Sequence, residues 1–379
     1  MIKVLSVFGT RPEAIKMAPV VKELQKHPAD IVSRVCVTAQ HREMLDQVLE
    51  LFDIAPDYDL DLMRDDQSLS EITARVFTDL DPVIAAEQPD WVLVQGDTTT
   101  VMAASLVAFY HQVKLGHVEA GLRTGDKWQP FPEEVNRKVA GVVADAHFAP
   151  TTTAEDNLLY EGVTPEAIHV TGNSVIDALF MTAEMDYDLA SGPLAEIPWE
   201  KHLILVTAHR RENHGQPLEN VCAALLEIAE QYDDVHVVYP VHLNPNVQEP
   251  VHRLLGDHDQ ITLLPPLDYL PLVQLMKRSH LVLTDSGGIQ EEAPGLGKPV
   301  LVLRDVTERP EAVEAGTVQL VGTDRERIVR EATALLDDDG AYQQMAQAVN
   351  PYGDGRAAQR IVGSLLGERV VPFRPTDRR

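Results

Sequence analysis

Three acids in the first half of the sequence stand where strand-like runs end. Asp97 follows DWVLVQG, Glu119 follows LGHV, and Glu133 lies in PFPEEVNRKVAG behind Pro132, which suits a first helical turn, with Arg137 one turn further on. An acid placed just past a buried strand faces a cleft and not bulk water. Desolvation there raises its pKa toward neutrality, the range that general acid–base catalysis needs. Each also has an ordinary use: Asp97 as a helix N-cap, Glu133 as a first-turn acid favoured by the helix dipole. Glu119, followed by Ala-Gly, has no such use.

A second set of residues suits an anion. In LTDSGGIQEEAPGLGKPV, Ser286 reads as an N-cap, and Gly287 and Gly288 open a helix whose free backbone N–H groups and dipole fit a diphosphate. Glu292, about one turn in, is placed to accept hydrogen bonds from ribose hydroxyls, by analogy with the acidic residue of dinucleotide folds. An ordinary capped helix packed tightly on a strand is the plain alternative. Cations gather at other strand ends: Arg11 and Lys16 after the first strand, His209, Arg210 and Arg211 in TAHRREN, and Arg309 in RDVTERPEA. Arginine recognises phosphate bidentately, and histidine also gives up a proton to a leaving phosphate. No G-x-G-x-x-G follows a strand, so no nicotinamide or flavin is indicated. Gly297-Lys298 does not end a P-loop, because Pro299 stands where Ser or Thr belongs.

The elements that must position these residues alternate along the chain. KVLSVFG, RVCVTA, DWVLVQG, VKLGHVE, HLILVTA, VHVVYPV, ITLLPP, HLVLTDS, PVLVLRD and VQLVG read as buried strands separated by helices. Continuous apolar strands alternating with helices give an α/β fold with parallel sheets covered on both faces. KVLSVFGTRPEAIKMAPVVKEL and LILVTAHRRENHGQPLENVCAALLEI share one plan of strand, arginine-bearing loop and amphipathic helix. The chain is therefore expected to hold two Rossmann-like domains facing a central cleft: residues 1–185 with the carboxylates, residues 186–355 with the diphosphate site, and a C-terminal helix or tail, 356–379, packing back on the first domain. The aperiodic Asp186–His202 suits the connection.

Composition narrows the function classes. With 379 residues and a formal net charge of −27, nucleic acid and acidic membrane surfaces are unsuitable partners, although a small anion in a locally basic pocket is not excluded. No apolar run approaches the about 20 residues that span a bilayer, and the N-terminus lacks signal-peptide architecture, which points to the cytoplasm. Cys36 and Cys222 read as small buried hydrophobes without metal-ligand spacing.

FGTRPEAIKMAP, TAQHREMLDQVL, GDTTT, HVEAGLRTGD, PEEVNR, TAHRREN, YPVHLNPNV, TDSGGIQEEAP and GKPVLVLRDVTERPEA, in that order along nearly the whole chain, resemble the non-hydrolysing UDP-N-acetylglucosamine 2-epimerases of bacterial envelope polysaccharide synthesis. The resemblance implies a glycosyltransferase-B type fold, a homodimer, no metal or redox cofactor, and interconversion of UDP-GlcNAc and UDP-ManNAc. It also implies a route: UDP is eliminated to give 2-acetamidoglucal, C2 is reprotonated on the other face, and UDP is added back at C1. By the same resemblance Asp97, Glu119 and Glu133 are catalytic acids and bases and His209 assists the UDP oxygen. Arg11, Lys16, Arg137, Ser286, Gly287, Gly288, Glu292, Arg309 and Leu272 match ligand-binding positions.

Two departures carry expectations. Where some members bind a second, activating UDP-GlcNAc through Gln and Arg-Gln, this chain has Glu43 in QHRE and Asp66 before Gln67, so activation should be weak or absent. PLDYLPL puts Leu267 and Leu272 where some relatives have Gln and Phe near the uracil. Rival readings are a hydrolysing relative that releases free N-acetylmannosamine, a glycosyltransferase, and a non-catalytic UDP-sugar sensor.

Overall fold

The computed structural model describes residues 1–38, 42–62, 64 and 66–375, without the side chains at positions 42 and 43. The chain divides into two compact units. One comprises Met1–Phe180 together with residues 352–375, and the other Met181–Pro351. The division thus falls ahead of the Asp186–His202 connection, and the return to the first unit begins four residues before position 356.

The first unit is a seven-stranded parallel sheet built from β1 (Ile2–Phe8), β2 (Ile31–Val37), β3 (Tyr58–Asp59), β4 (Trp91–Gln95), β5 (Lys114–Val118), β6 (Ala146–Ala149) and β7 (Ile168–Val170), in the order β3-β2-β1-β4-β5-β6-β7. Val4, Leu5, Val7, Val92, Leu93 and Val94 are fully buried. Both faces of the central strands are covered by helices, which is why their sequences run apolar without alternation. The order reverses between β1 and β4, so the loops leaving these two strands diverge and open a crevice at their carboxyl ends. The C-terminal helix Ala357–Leu365 packs on the helix Arg11–Gln25. Its first N–H groups, at Ala357 and Ala358, donate to the buried Asp177 at 3.1 and 2.8 Å, so a carboxylate caps a helix whose own N-cap side chain makes no capping bond.

The second unit holds β8 (His202–Thr207), β9 (Val235–Pro240), β10 (Ile261–Leu264), β11 (Leu281–Thr284), β12 (Val300–Val302) and β13 (Val318–Leu320) in the parallel order β10-β9-β8-β11-β12-β13. Its order reverses between β8 and β11, the strands that deliver His209 and Ser286. The two units thus repeat one Rossmann-like plan. Cys36 and Cys222 are buried, one in each unit, and burial pushes both thiols up to about 12. Among the described residues no helix is long and apolar enough to cross a membrane.

Candidate active site

In the first unit the candidate side chains grow out of the ends of β1, β4 and β5. After β1, Thr10 caps the helix Arg11–Gln25: its side chain accepts from the Glu13 N–H while Glu13 returns to the Thr10 N–H. Arg11 is the first residue of that helix. Glu13 does more than close a capping box. The residue is 2% exposed, and its carboxylate accepts from the N–H of Gly9 at 2.9 Å, the N–H of Thr10 at 2.7 Å and the Thr98 hydroxyl at 2.7 Å. It therefore ties the loop after β1 to the loop after β4. Burial raises its pKa, and the Thr98 bond leads the hydrogen bonds that oppose the rise.

One turn on, Lys16 places its Nζ at 2.6 and 2.7 Å from the two carboxylate oxygens of Glu119. Glu119 also accepts from the side-chain amides of Gln95 and of Asn173, the latter at 2.9 Å. Its backbone is left-handed at φ 62, a region that disfavours a residue with a Cβ and that recurs where a side chain must be aimed. On the neighbouring strand the chain reverses at Gly96 (φ 80), where a Cβ would lie 3.6 Å from Glu119 Oε2. That turn delivers Asp97, which is not the N-cap: Thr98 takes the capping role by accepting from the Val101 N–H.

Asp97 instead accepts from Arg137, whose Nε and Nη2 approach Oδ2 at 2.8 and 2.6 Å. Arg137 is held from its other side by the fully buried Glu134 at 3.1 Å, and Glu134 accepts from the N–H groups of Thr124 and Gly125 at 3.2 Å each. Pro132 stands at the N-cap, just outside the helix Glu133–Val143 and not within its first turn. Glu133 begins that helix, and its Oε2 is buried without a hydrogen-bond partner. Beneath the cluster His117 donates from Nε2 to the Gly96 carbonyl oxygen at 2.7 Å. Burial pushes this imidazole down to about 4, so it supports the turn as a neutral ring.

In the second unit the helix Gly287–Gly295 starts where β11 ends, with Ser286 as its N-cap residue. The Ser286 side chain makes no capping bond, and its N–H donates to Thr284 Oγ1 at 2.9 Å. A Cβ on Gly287 would meet Arg210 Nη2 at 3.8 Å and Arg309 Nη2 at 3.9 Å, and one on Gly288 would meet Glu292 Oε2 at 3.7 Å. Two guanidiniums therefore lean over the helix N-terminus, where dipole and N–H groups already favour an anion. Arg309 is steered by the buried Glu291. Glu292, also buried, accepts from the Tyr269 hydroxyl at 2.7 Å. Leu272 is half-buried on the helix that Tyr269 begins. His209 follows β8, and its backbone N–H donates to the fully buried Asp285 at 2.9 Å.

Sequence reasoning did not single out Glu13, Gln95, Asn173, Asp285 or Tyr269. Only Asp285, adjacent to Ser286 at a strand end, carried the same signal as the acids that were found. Glu43 and residues 39–41 lie outside the described side chains; Asp66 is described, with a left-handed φ of 55. Among the described residues no group of His, Cys, Asp and Glu is arranged to hold a metal.

Comparison with known proteins adds the family. Residues 22–366 match the UDP-N-acetylglucosamine 2-epimerase family model. The UDP-N-acetylglucosamine 2-epimerase of Escherichia coli K12 is 58% identical over 374 residues, covering 97% of this chain and 99% of that one. A crystal structure of a putative UDP-N-acetylglucosamine 2-epimerase from Listeria monocytogenes superposes with a TM-score of 0.92 at 55% identity, covering 98% of each chain. The Neisseria meningitidis UDP-GlcNAc 2-epimerase, solved bound to UDP-GlcNAc, gives 0.85 at 52% identity, covering 97% of this chain and all of that one. The α/β architecture of two Rossmann-like units is thus of the glycosyltransferase-B type, and the chain belongs to the UDP-N-acetylglucosamine 2-epimerase family, an isomerase by class.

Proposed function

We propose that the chain interconverts UDP-N-acetylglucosamine and UDP-N-acetylmannosamine by eliminating UDP to 2-acetamidoglucal and adding it back, without net hydrolysis. One observation carries this reading. Each sheet presents, at the carboxyl ends of its central strands, one half of what the chemistry needs. The second unit offers an anion cradle at Gly287 with Arg210, Arg309 and a buried Glu292. The first offers Asp97 and Glu119, each against a cation, with Glu133 on the next helix.

The C2 hydrogen of the sugar is not acidic, because no carbonyl adjoins it. As the C1–O bond breaks, positive charge on C1 acidifies that hydrogen and the departing diphosphate carries the electron pair. The cradle stabilises the diphosphate with helix N–H groups and arginines, and His209 supplies a proton to the leaving oxygen and recovers it when UDP returns. A carboxylate removes the C2 proton to give the glucal, and an acid returns a proton to C2 on the other face. Inversion requires groups on both faces, which accounts for more than one acid. Lys16 and Arg137 hold Glu119 and Asp97 in place through charge-assisted hydrogen bonds.

The finer reading is of a cytoplasmic homodimer that supplies N-acetylmannosamine units for envelope polysaccharide, and it rests on the motif resemblance. Proton NMR of products formed from UDP-GlcNAc tests the reaction: a mixture containing UDP-ManNAc supports it, and free N-acetylmannosamine with UDP assigns the chain to hydrolysis. Tight binding without turnover contradicts catalysis altogether.

A further inference from the structure

Asp285 is the most enclosed carboxylate of the second unit. It is fully buried, and its Oδ2 collects three donors: the backbone N–H groups of His209 (2.9 Å) and Arg210 (2.8 Å) and the side-chain amide of Asn213 (2.9 Å). Its other oxygen, Oδ1, is buried with no hydrogen-bond partner. The cation-forming atom facing that oxygen is Nδ1 of His209, at 3.5 Å, a few tenths of an ångström beyond an ordinary hydrogen bond. A buried acceptor left open and aimed at an imidazole nitrogen has a cost that the protein can recover only when the ring donates to it. The imidazole is constrained from another direction too, lying parallel to the His242 ring with centroids 5.3 Å apart and planes inclined by 12°. His242 accepts the Asn244 N–H on its Nδ1 at 3.0 Å, so the orientation of the stacking ring is itself fixed.

We propose that Asp285 is a positioning residue for His209: it accepts a hydrogen bond from Nδ1–H, fixes the tautomer, and leaves Nε2 as the atom that exchanges a proton with the leaving and returning diphosphate oxygen. The proposal rests on the function proposed above and deepens it, since it assigns the reacting nitrogen. The proton count balances: in the elimination the imidazolium, protonated on both nitrogens, gives its Nε2 proton to the diphosphate oxygen as the C1–O bond breaks, which leaves the neutral Nδ1–H ring beside bound UDP, and in the addition the same proton returns to Nε2. Asp285 keeps its charge throughout and stabilises the imidazolium. The groups facing the ring act in opposite senses. Burial leads in lowering the pKa of His209, Asp285 opposes that, and His242 and Arg210 add to the lowering.

The test is 15N NMR of histidine-labelled full-length protein saturated with UDP, with the His209 signals identified by their loss in His209→Asn. The expected result is a neutral ring protonated on Nδ1. In Asp285→Asn the titration midpoint should fall by about one unit or more, since an anion within about 4–6 Å favours the charged ring by at least that much. The pH limb of kcat should move with it while KM holds. His242→Phe, which keeps the stack, should raise the midpoint. A wild-type ring protonated on Nε2, or an unmoved midpoint in Asp285→Asn, overturns the proposal and leaves Asp285 as a brace for the loop backbone. If Asp285→Asn does not fold, the wild-type tautomer decides alone. An Nδ1–H tautomer with a shifted midpoint in a protein that never converts UDP-GlcNAc upholds the pairing and removes the function instead.

Discussion

Replacing Lys16 by Met removes the cation from Glu119 while keeping much of the side-chain volume. The ammonium lies 2.6 Å from Oε1, with 20% of the lysine side chain and 6% of the glutamate side chain exposed. At an effective dielectric of about 20, Coulomb attraction at that separation is roughly 6 kcal/mol, set against a desolvation cost of several kcal/mol per ion. The pair as a whole is therefore worth little. Removing one partner is another matter, because a carboxylate then stays buried without the opposing charge, which costs about 3–5 kcal/mol. Lys16→Met should thus lose about 3 kcal/mol or more in urea unfolding, whereas Lys16→Met combined with Glu119→Gln should recover most of the loss. The double-mutant cycle should give a coupling energy of about 2 kcal/mol or more. A single-variant loss below about 1 kcal/mol, or additive single losses, would refute the idea that Lys16 holds the charge of Glu119 in place.

Gly287→Ala should fold as well as the wild type, or up to about 1 kcal/mol better, since the new Cβ meets Arg210 and Arg309 at ordinary contact distance; it should weaken UDP at least about tenfold by calorimetry, roughly 1.4 kcal/mol. Tyr269→Phe removes a 2.7 Å bond to the buried Glu292 and should cost about 1–3 kcal/mol of stability in urea titration. For stability against pH, Asp177, pushed up to about 7 by burial from its ordinary 3.8, contributes fully below pH 3.8 and loses that contribution as pH rises through 7. His117 and His147, held at about 4 by burial from 6.5, contribute above pH 6.5 and lose it as pH falls toward 4. At about 1.4 kcal/mol per unit the histidines together outweigh Asp177, so wild-type thermal stability should fall on acidification from pH 7 to 5; Asp177→Asn should steepen that fall, and a flatter profile would contradict the assignment. Initial rates from UDP-GlcNAc should be hyperbolic, as Glu43 and Asp66 suggest; strongly sigmoidal kinetics would show otherwise.

The central strands were legible because burial on both faces removes polar alternation, leaving runs such as WVLV and HLILV. β3, β6 and β7 were not read: YD and AHFA lack β-branched residues, and IHV, with a histidine between its two, is too short to give a strand signal. Asp97, Glu119 and Ser286 were visible as polar residues directly after apolar runs, a purely local signal. Glu13 and Asn173 were not, because their roles come from tertiary pairing: Asn173 meets Glu119 across 54 positions, and Glu13 looks like a first-turn acid until Thr98 is brought to it across 85. Pro132 fell on the N-cap side of its helix, a shift that spacing alone does not resolve.

The central claim is that the carboxylates of the first unit move the C2 proton during reversible elimination of UDP. Running the reaction in deuterated water with UDP-GlcNAc labelled by 18O at the bridge between C1 and the β-phosphate reads both bonds at once, by NMR at C2 and by the isotope shift at phosphorus. The account predicts deuterium at C2 of both sugars together with scrambling of the label in the wild type. It also predicts that at least one of the Asp97→Asn, Glu119→Gln and Glu133→Gln variants retains UDP binding while losing C2 exchange. Epimerisation with C2 hydrogen fully retained, or equal loss of binding and exchange in all three variants, would contradict it.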